Sequence, residues 1–493
     1  MRPALDGHAG IPQETRLLFR GLQQLDDIIV EGLLQSSNRV LAKGLSERAL
    51  ANDTEDRRIN RLSRVVVSLQ QNAKPTLAEI ATGRLSLVLA PFGMLGRGLL
   101  GLPQSLTRFD PAHFKDFVWR GLFAKTLPYE DFDTVTSARF RVARVPWSAM
   151  HATALATRRL GYAMYPRIDT RGFDVMIAET PYPGRVLAPT RLVVRYHDAI
   201  PLLMPHTISD RSYHQASHYH ALRRNVADGA WFACVSDATR RDLISIFPQA
   251  EKRAVTIHNT VSGHYFPEQS APDRIPEIVK SRKNMAVRTA GHASVPTSDM
   301  RGGPGGPEYL LMVSTIEPRK NHLTLVSAWE QLRTERFPSL HLVLVGMLGW
   351  DHKAIVKKFR PWLARGGLHL LEEVPAGELR LLYRHAQATV CPSLGEGFDF
   401  SGIEAMRCGG LVSASDIPVH RDIFGDACDY FNPYSASDLA QSLTRVIAPD
   451  AGERRDALRE CGREISARYL PQSTLPQWRD FLASLAPSGA ARP

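Results

Sequence analysis

Residues 388–410, which read ATVCPSLGEGFDFSGIEAMRCGG, contain the pattern that decides the fold. A short apolar run, Ala388–Ser393, leads into a turn that carries Gly395 and Gly397, and a helical pattern follows. A strand that passes through a turn into a helix is the repeating unit of parallel α/β sheets. The first backbone N–H groups of such a helix have no partner within it and attract anions. The stretch therefore predicts an α/β domain with a ligand site at the end of this strand.

Two glutamates of this stretch, Glu396 and Glu404, lie eight positions apart. Glu396 falls in the turn and Glu404 inside the helix, where both carboxylates can accept hydrogen bonds from sugar or ribose hydroxyls. For Glu404 a structural alternative is a capping box, in which Ser401 caps the helix and Glu404 returns to the N–H of the cap residue. A capping box does not explain Glu396, so we interpret Glu396 as a ligand-binding residue.

Similar strand candidates recur along the chain and alternate with helical patterns such as Asn321–Thr334 and Ala376–Ala386. Besides Ala388–Ser393, the strand candidates are Asp174–Glu179, Leu192–Asp198, Trp231–Asp237, Arg253–Asn259, Tyr309–Ser314, His341–Gly346, Leu368–Val374 and Leu411–Ser415. Strands that alternate with helices indicate parallel sheets with helices on both faces.

The apolar periodicity is lost over about 267–307, a stretch of proline, glycine, serine and charged residues that ends in RGGPGGP. We predict a linker or a mobile insert there. The chain then divides into a first domain over 1–266, a second over 308–465, and a C-terminal helix and tail over 466–493. The segment 41–146 is interpreted as an elaboration of the first domain, built of ordinary helices or presenting a surface to a membrane.

A second motif, TIEPRKNH at 315–322, follows the strand candidate that ends at Ser314. Adjacent Arg319 and Lys320 at a strand end suit a diphosphate, because arginine offers a planar fork of donors and lysine a compact charge. Such charges would offset the negative charge that develops on a departing nucleotide diphosphate. The alternative is a solvated helix start, which is weakened because helix N-termini favour acidic residues over a basic pair.

These motifs together resemble the donor domain of family 4 glycosyltransferases. The resemblance covers STIEPRKNHLTLVSAWEQL, HLVLVGMLGW, CPSLGEGFDFSGIEAM and SASDIPVHRDIFGDACDYFNP, nearly continuously from about residue 309 to 446. The spacing of Glu396 and Glu404 matches the E-x7-E signature of that family. The resemblance implies the GT-B fold, with two facing Rossmann-like doubly wound α/β domains and a cleft between them. It also implies a retaining transferase that needs no cofactor and no metal and takes a nucleotide-diphosphate sugar as co-substrate.

The first half resembles the same family more loosely, through GHAGIPQETRLLFRGL, VVRYHDAIPLLMP, CVSDATRRDLISIFP and TIHNTVSGHYFP. Carrying the family's roles over residue by residue gives four catalytic candidates: His197 facing the donor sugar from the first domain, Glu396 contacting that sugar, and Arg319 and Lys320 binding the diphosphate. It also gives four donor-binding candidates: Gly10 in the first loop, Gly397 and Phe398 through their backbone, and Glu404 on the ribose. For His197 the structural alternative is a satisfied histidine at a strand end.

Departures from the family pattern, among them Asp399, Phe400 and Thr260, fall in segments that the resemblance implies to line the sugar and base pockets. They leave open a second hypothesis, in which the protein is a non-catalytic nucleotide-sugar sensor or a scaffold of a glycan assembly complex. The first hypothesis is transfer of a hexose, with mannose as the candidate, to a glycan or lipid-linked acceptor in bacterial surface polysaccharide or lipopolysaccharide synthesis. The D-x-D at 131–133 is interpreted as an exposed acidic turn and not as a metal site.

Charge and composition bound the remaining expectations. The chain of 493 residues is 44% hydrophobic and has no charge-free apolar run long enough to span a membrane, nor a signal peptide at its start, so we expect a cytoplasmic protein. Its five cysteines form no CxxC pair, which predicts reduced thiols.

The formal net charge of +11 lies almost wholly in the first half of the chain. Residues 1–265 hold 34 Lys and Arg against 24 Asp and Glu, whereas residues 266–493 hold 27 against 26. A basic face could meet a phosphorylated acceptor or the anionic inner face of the plasma membrane, and a solvated surface explains it equally well. No basic platform with interleaved aromatic residues is present, so nucleic-acid binding is not expected.

Overall fold

The computed structural model of the chain describes residues 1–5, 7, 10–70, 90–98, 100–158, 163–283, 300 and 306–486. Its strands, numbered β1 to β15 in chain order, are Glu31–Leu34, Thr107–Phe109, Arg139–Val142, Arg167–Ile168, Val175–Ala178, Arg185–Val186, Arg191–Tyr196, Trp231–Cys234, Ala254–Thr256, Tyr309–Val313, His341–Val345, Leu368–Leu371, Ala388–Cys391, Val412–Ser415 and Asp429–Phe431. All nine strand candidates from the sequence are among them.

The longer helices cover the sheets and connect the strands. They are Ile11–Leu22, Glu55–Leu69, 90–98, Trp147–Thr157, Arg211–Ala227, Asp237–Ile246, Ile275–Ser281, His322–Glu335, Lys353–Arg365, Ala376–His385, Phe400–Arg407, Pro418–Phe424, Ala436–Ile447, Gly452–Ala467 and Pro471–Leu485. Five shorter helices are Arg2–Leu5, Glu47–Asn52, Lys115–Val118, Phe132–Thr136 and Ile200–Leu203. Within the described ranges, no helix has the length and apolarity that a bilayer crossing requires.

The second domain is a doubly wound parallel sheet. Its six strands run in the order β12-β11-β10-β13-β14-β15, and every neighbouring pair is parallel. The chain starts at the central β10, moves outwards to β12, and returns to β13 on the other side. Two apolar cores, one on each face of the sheet, bury its strands. Ligands of such sheets bind at the carboxyl ends of the strands where the order reverses, which here is between β10 and β13.

The first domain contains a smaller parallel sheet of four strands, in the order β5-β7-β8-β9. A separate three-stranded sheet has the order β1-β3-β2, and β4 pairs with β6. The predicted α/β architecture with parallel sheets is therefore confirmed, although the first domain divides its strands among three sheets. The reason is that β1 pairs with β3, with Glu31 opposite Arg139, and does not join the four-stranded sheet.

The elaboration of the first domain has an apolar core of its own. The core gathers residues from the first 34 positions together with residues up to Val142, so the elaboration extends on the N-terminal side of the predicted 41–146. The helix Glu55–Leu69 buries Leu62, Val65 and Leu69 in this core, as an ordinary amphipathic helix does.

Two parts of the chain pack differently from the sequence expectation. Where a linker or mobile insert was predicted over 267–307, the helix Ile275–Ser281 buries three apolar side chains against the second domain. Arg282, which follows it, donates two hydrogen bonds to Glu378 at 2.7 and 2.8 Å. Residues 284–299 and 301–305 lie outside the described residues.

The C-terminal helix Pro471–Leu485 returns to the first domain. Trp478, Phe481 and Leu485 pack against Val193 and Ile257, which belong to the four-stranded sheet and its border. Sequence position alone gave no reason to expect this, because residues 308–465 belong to the other domain. The chain therefore crosses between the two domains twice.

Candidate active site at the domain interface

The basic pair lies at the reversal point of the second sheet. Arg319 and Lys320 occupy a 3₁₀ turn, Pro318–Lys320, that follows β10. Asn321 ends the turn in the left-handed region at φ 61°, a conformation that asparagine tolerates better than most residues. Its side-chain amide donates to the carbonyl oxygens of Pro392 and Pro433, at 3.0 and 2.8 Å. These bonds tie the basic turn to the loops that follow β13 and β15.

Glu396 lies between the two basic side chains. Its carboxylate accepts hydrogen bonds from Arg319 Nη1 at 2.7 Å and from Lys320 Nζ at 2.5 Å. Arg319 also donates to Glu317 at 2.8 Å and to the carbonyl oxygen of Gly395 at 2.9 Å. Two buried carboxylates thus balance two cations at a strand end.

The ionisation of this cluster follows from its composition. Burial alone would raise the pKa of Glu396, but Arg319 and Lys320 hold that pKa below its usual value. Burial would likewise lower the pKa of Arg319, whereas Glu396 and Glu317 raise it. Glu396 and Arg319 therefore both stay charged near neutral pH. An incoming dianion meets two fixed cations and must compete with Glu396 for them.

The glycine turn packs closely against the first domain at both of its glycines. A Cβ atom placed on Gly397 would lie 1.6 Å from the carbonyl oxygen of His197, and one on Gly395 would lie 2.6 Å from Met204 Sδ. Thr239 Oγ1 lies 3.4 Å from both the His197 and the Gly397 carbonyl oxygens. Only glycine permits so close an approach of the two domains. Next in the chain, Phe398 is buried in the apolar core.

Glu404 bridges the two domains. Its Oε1 accepts a hydrogen bond from Gln13 Nε2 of the first domain at 2.9 Å, and its Oε2 accepts one from Tyr383 Oη at 3.0 Å. Burial raises the pKa of Glu404 to about 7. The capping-box alternative for Glu404 is wrong, because Asp399 is the residue that caps this helix.

Asp399, one of the departures from the family pattern, is a buried helix cap. It accepts hydrogen bonds from the backbone N–H and the hydroxyl of Ser401, at 3.0 and 2.6 Å. His420 Nε2 lies 3.4 Å from Asp399 Oδ2, and His420 Nδ1 lies 2.9 Å from the carbonyl oxygen of Ser415. Although burial opposes it, His420 and Lys320 hold the pKa of Asp399 below its usual value. Asp399 thus starts the helix that carries Glu404.

The other two departures lie in packing positions. Phe400 is half-buried, and its ring lies 5.2 Å from that of Phe398. Thr260 Oγ1 lies 2.6 Å from Thr474 Oγ1 of the C-terminal helix. Thr260 therefore supports the return of that helix to the first domain.

The first domain contributes His197, which follows β7 directly. His197 Nε2 lies 3.5 Å from Glu179 Oε2, and burial lowers the pKa of His197 to about 4, so the imidazole is neutral. Gly10 precedes the helix Ile11–Leu22 at φ 66°, a conformation that favours glycine, and a Cβ there would meet nothing within 4 Å. Glu14, four residues after Gly10, accepts a hydrogen bond at 2.8 Å from Nε of the buried Arg195.

The structure brings seven of the eight predicted site residues together along the facing edges of the two domains, and the eighth, Gly10, starts the helix that carries Gln13. Whether these residues bind a donor stays a prediction. Sequence reasoning missed Gln13, Glu14 and Glu179. The available signals were weak: Gln13 and Glu14 follow the first glycine loop, and Glu179 is the polar end of an apolar run.

Both aspartates of the D-x-D motif form ion pairs. Asp131 lies 2.8 Å from Arg20, and Asp133 lies 3.4 Å from Lys115. Asp131 is buried and Asp133 lies in the helix Phe132–Thr136, so the expected exposed turn is wrong, although the Asp133 side chain is exposed. The two aspartates are each paired with a cation, which leaves the motif a structural role.

A two-domain α/β fold with a charged strand-end site at the cleft defines a GT-B glycosyltransferase architecture. Residues 299–465, which include the second domain, match the model of the family described as glycosyl transferases group 1. The chain is also similar to a solved structure, Anabaena Alr3699/HepE in complex with UDP-glucose. The two superpose over 84% of this chain and 98% of the Anabaena chain, with a TM-score of 0.50 and 16% sequence identity, which supports the fold.

Three curated relatives are mannosyltransferases. O-antigen chain mannosyltransferase B of Escherichia coli is 27% identical over 247 residues, which are 50% of this chain and 56% of the relative. Serotype-specific mannosyltransferase WbdA of Escherichia coli is 33% identical over 185 residues, 35% of this chain and 22% of the relative. O-antigen chain mannosyltransferase RfbU of Salmonella typhimurium is 44% identical over 85 residues, which are 17% of this chain and 24% of the relative. The chain thus spans about half, or less, of the relatives it matches.

Proposed function

We propose that this protein is a retaining, metal-independent glycosyltransferase that moves mannose from a nucleotide-diphosphate sugar to a hydroxyl of a glycan or lipid-linked acceptor. The proposal places it in the cytoplasm, in the synthesis of a bacterial surface polysaccharide such as an O-antigen. The observation that carries it is the pair Arg319 and Lys320 at the reversal point of the second sheet, facing the first domain. The matches to O-antigen mannosyltransferases support mannose as the donor sugar.

Donor binding in this proposal starts with an exchange of partners at the basic pair. The diphosphate takes the Lys320 ammonium and one edge of the Arg319 guanidinium, which Glu396 occupies at 2.5 and 2.7 Å. The freed Glu396 carboxylate then accepts hydrogen bonds from the sugar hydroxyls. Arg319 keeps its hydrogen bond to Glu317, at 2.8 Å, during this exchange. Glu404 takes the ribose hydroxyls once Gln13 gives way.

Transfer forms one bond and breaks one at the same carbon. The acceptor oxygen bonds to the anomeric carbon on the face from which the diphosphate departs, and the bond between that carbon and the phosphate oxygen breaks. The leaving phosphate oxygen takes the proton of the acceptor hydroxyl. Arg319 and Lys320 stabilise the charge that develops on the phosphate. The neutral His197 lines the opposite side of the cleft without adding a charge.

The alternative of a non-catalytic sensor or scaffold drew its support from the departures at Asp399, Phe400 and Thr260. In the structure these residues cap a helix, fill the core and contact the C-terminal helix. None of these three residues replaces a charged residue among Arg319, Lys320 and Glu396, so the catalytic hypothesis is favoured.

The decisive experiment measures nucleotide binding and transfer on the same protein. Thermal shifts with GDP-mannose, UDP-glucose, UDP-GlcNAc, ADP-glucose, GDP and UDP identify the base, since a ligand that binds only the folded state raises the melting temperature. Arg319→Ala with Lys320→Ala should abolish the shift and lower turnover at least hundredfold. Lys357→Ala with Lys358→Ala, an exposed basic pair on the helix Lys353–Arg365, is the matched control. Near-normal turnover in the first double variant would exclude the diphosphate assignment.

Peripheral contact with a membrane is a second part of the proposal. The segment around the helix 90–98 exposes Phe92, Leu100 and Leu102 by 68%, 74% and 50%, beside the exposed Arg97. Apolar side chains next to a basic residue suit the interface of an anionic bilayer. Co-sedimentation with vesicles of phosphatidylglycerol should fall in Phe92→Ser with Leu100→Ser, and unchanged sedimentation would rule this surface out.

A further inference from the structure

Arg16 is a fully buried arginine on the helix Ile11–Leu22, six residues after Gly10. Its guanidinium donates four hydrogen bonds of 2.5 to 2.9 Å, to the carbonyl oxygens of Ala4, Gly7 and Leu122 and to the hydroxyl of Thr126. These acceptors belong to the helix Arg2–Leu5, to the glycine loop that carries Gly7 and Gly10, and to the elaboration. Arg16 therefore fixes three separate parts of the first domain relative to one another.

The charge of Arg16 has no counter-ion within the described part of the chain. All of its hydrogen-bond acceptors are neutral. Burial lowers the pKa of Arg16 to about 10, and no described carboxylate raises it, so the guanidinium is still charged at neutral pH. The equally buried Arg195, in contrast, donates to the Glu14 carboxylate at 2.8 Å. Because buried charges in proteins are normally paired, an unbalanced one stabilises an anion that binds nearby.

The glycine loop leads directly into the part of the first domain that contacts the donor side of the cleft. A Cβ atom on Gly7 would lie 3.2 Å from Pro12 Cγ, so the loop folds against the first turn of the helix. No side chain caps this helix at Gly10. Gln13, in the same first turn, donates to Glu404 across the interface at 2.9 Å. A ribose on Glu404 would therefore adjoin the helix start, and its diphosphate would pass beside the glycine loop.

The shape of the guanidinium is what this position requires. Its Nη2 donates to the carbonyl oxygens of Ala4 and Gly7 at 2.6 and 2.5 Å, while Nε reaches Leu122. A planar fork holds such acceptors in a fixed relation, whereas a lysine ammonium is a single point of charge. Leu122 lies in one turn of π-helix, Trp119–Phe123, a widened turn that is frequent at functional sites.

We infer that Arg16 is a positioning residue of the donor site, which acts on the diphosphate through the glycine loop. Its four hydrogen bonds fix the loop, and its unbalanced charge favours a bound anion there. The inference rests on the proposed function, because the anion it names is the diphosphate of the donor. Arg16 itself touches no substrate, since it is fully buried behind the loop.

The test compares the calorimetric Kd for GDP and for guanosine in the wild type and in Arg16→Lys; UDP and uridine replace them if the thermal-shift panel selects uracil. The substitution keeps the positive charge and loses the fork. The Kd for GDP should rise about tenfold or more, as expected when hydrogen bonds to a charged group are lost. The Kd for guanosine, which has no phosphate, should stay within about twofold. A guanosine Kd that rises as much as the GDP Kd indicates a general loss of structure and overturns the inference, as does an unchanged GDP Kd.

Arg141→Lys is the matched control, because Arg141 is a largely buried arginine of the elaboration whose partner is Glu31. It should lower the melting temperature without changing the Kd for GDP, and a rise equal to that in Arg16→Lys overturns the inference. Arg16→Met removes the charge as well, so its Kd for GDP should exceed that of Arg16→Lys about threefold or more. Equal GDP affinity of the two Arg16 variants overturns the role of the charge. Should Arg16→Met not fold, Thr126→Val removes one acceptor and no charge, and should raise the Kd for GDP about threefold.

Gly10→Ala tests whether Arg16 acts through the loop. Gly10 has φ 66° and a Cβ there would meet nothing within 4 Å, so alanine disfavours the loop conformation without a clash. If both residues act on the same loop, the double variant Gly10→Ala with Arg16→Lys should raise the Kd for GDP by clearly less than the product of the single effects. Single effects that multiply overturn the inference.

A failure of the proposed function is seen separately, with inorganic pyrophosphate as the probe. If the wild type binds no nucleotide and transfers no sugar, pyrophosphate binding that weakens in Arg16→Lys but not in Arg141→Lys supports the anion site without the transfer reaction. Sugar transfer by the wild type, together with equal GDP affinity in Arg16→Lys, leaves the proposed function standing and overturns the inference. Binding of neither pyrophosphate nor nucleotide to the wild type overturns both.

Discussion

Replacing Gly397 by alanine should uncouple the two domains at the site of transfer. The new Cβ would lie 1.6 Å from the His197 carbonyl oxygen and 2.7 Å from its carbonyl carbon, both of them backbone atoms that cannot rotate away. A methyl carbon needs roughly 3.5 Å from a neighbouring carbon, so the turn and β7 must separate by about 1 to 2 Å. The separation moves Glu396 away from His197.

A misplacement of about 1 Å between reacting groups costs roughly a hundredfold in rate. We therefore expect kcat for Gly397→Ala to fall about a hundredfold or more in a radiolabelled mannosyl-transfer assay. The Kd for GDP should change less than threefold, because Arg319 and Lys320 lie on the same domain as the turn and keep their positions.

Gly377→Ala is the matched control for this experiment, since a Cβ at Gly377 would meet nothing within 4 Å. The control should keep wild-type turnover and a wild-type melting temperature or a slightly higher one, as expected for alanine in a helix. Turnover of Gly397→Ala within threefold of the wild type would refute the claim that backbone contact of the two domains positions the reaction.

Three further substitutions test the buried polar groups and the returning helix. As pH rises from 5 to 8, the free energy of unfolding of Glu404→Gln should increase relative to that of the wild type, by about 3 kcal/mol at most. The reason is that a carboxyl whose pKa is raised from 4.5 to about 7 destabilises the fold when it ionises. Urea unfolding at pH 5 and pH 8 measures the difference between the two proteins, and a difference that does not change with pH would contradict the prediction. Asp399→Ala should cost about 2 to 4 kcal/mol, since the helix loses its cap and His420 loses its buried partner. Asp399→Asn keeps the cap and should cost less; equal thermal shifts for the two variants would show that the cap hydrogen bond contributes nothing to stability. Trp478→Ala should lower the free energy of unfolding by about 3 to 5 kcal/mol, because this fully buried ring packs 5.2 Å from the Arg195 guanidinium. An unchanged melting temperature would mean that the C-terminal helix does not stabilise the first domain.

Local pattern was sufficient for five of the six strands of the second domain, whereas the edge strand β15 was not among the candidates. Each of its predicted strands is a short apolar run followed by a turn and a helix, and each is present in the structure. The positions of Arg319, Lys320 and Glu396 at strand ends followed from the same pattern, because the carboxyl ends of parallel strands share one edge of a sheet. The first domain was harder, since β1 and β3 are 105 or more residues apart and their pairing leaves no local signal.

The partners of the buried charges were decided by the tertiary structure. Ser401 and Glu404 have the spacing of a capping box, yet Asp399 caps the helix, because Glu404 finds Tyr383 and Gln13 once the domains pack. Gln13 and Glu404 are 391 positions apart, and no periodicity links them.

The sequence by itself determined five strands of the second domain, the basic pair and the glycine turn, because each depends on neighbours within one strand–turn–helix unit. Only the tertiary structure decided which polar groups are buried together: Glu14, Glu179 and His197 come from three separate elements. The physical reason is that burial makes an unpaired charge costly, so the partner of each charge is chosen by the packing of distant segments and not by the residues beside it in the chain.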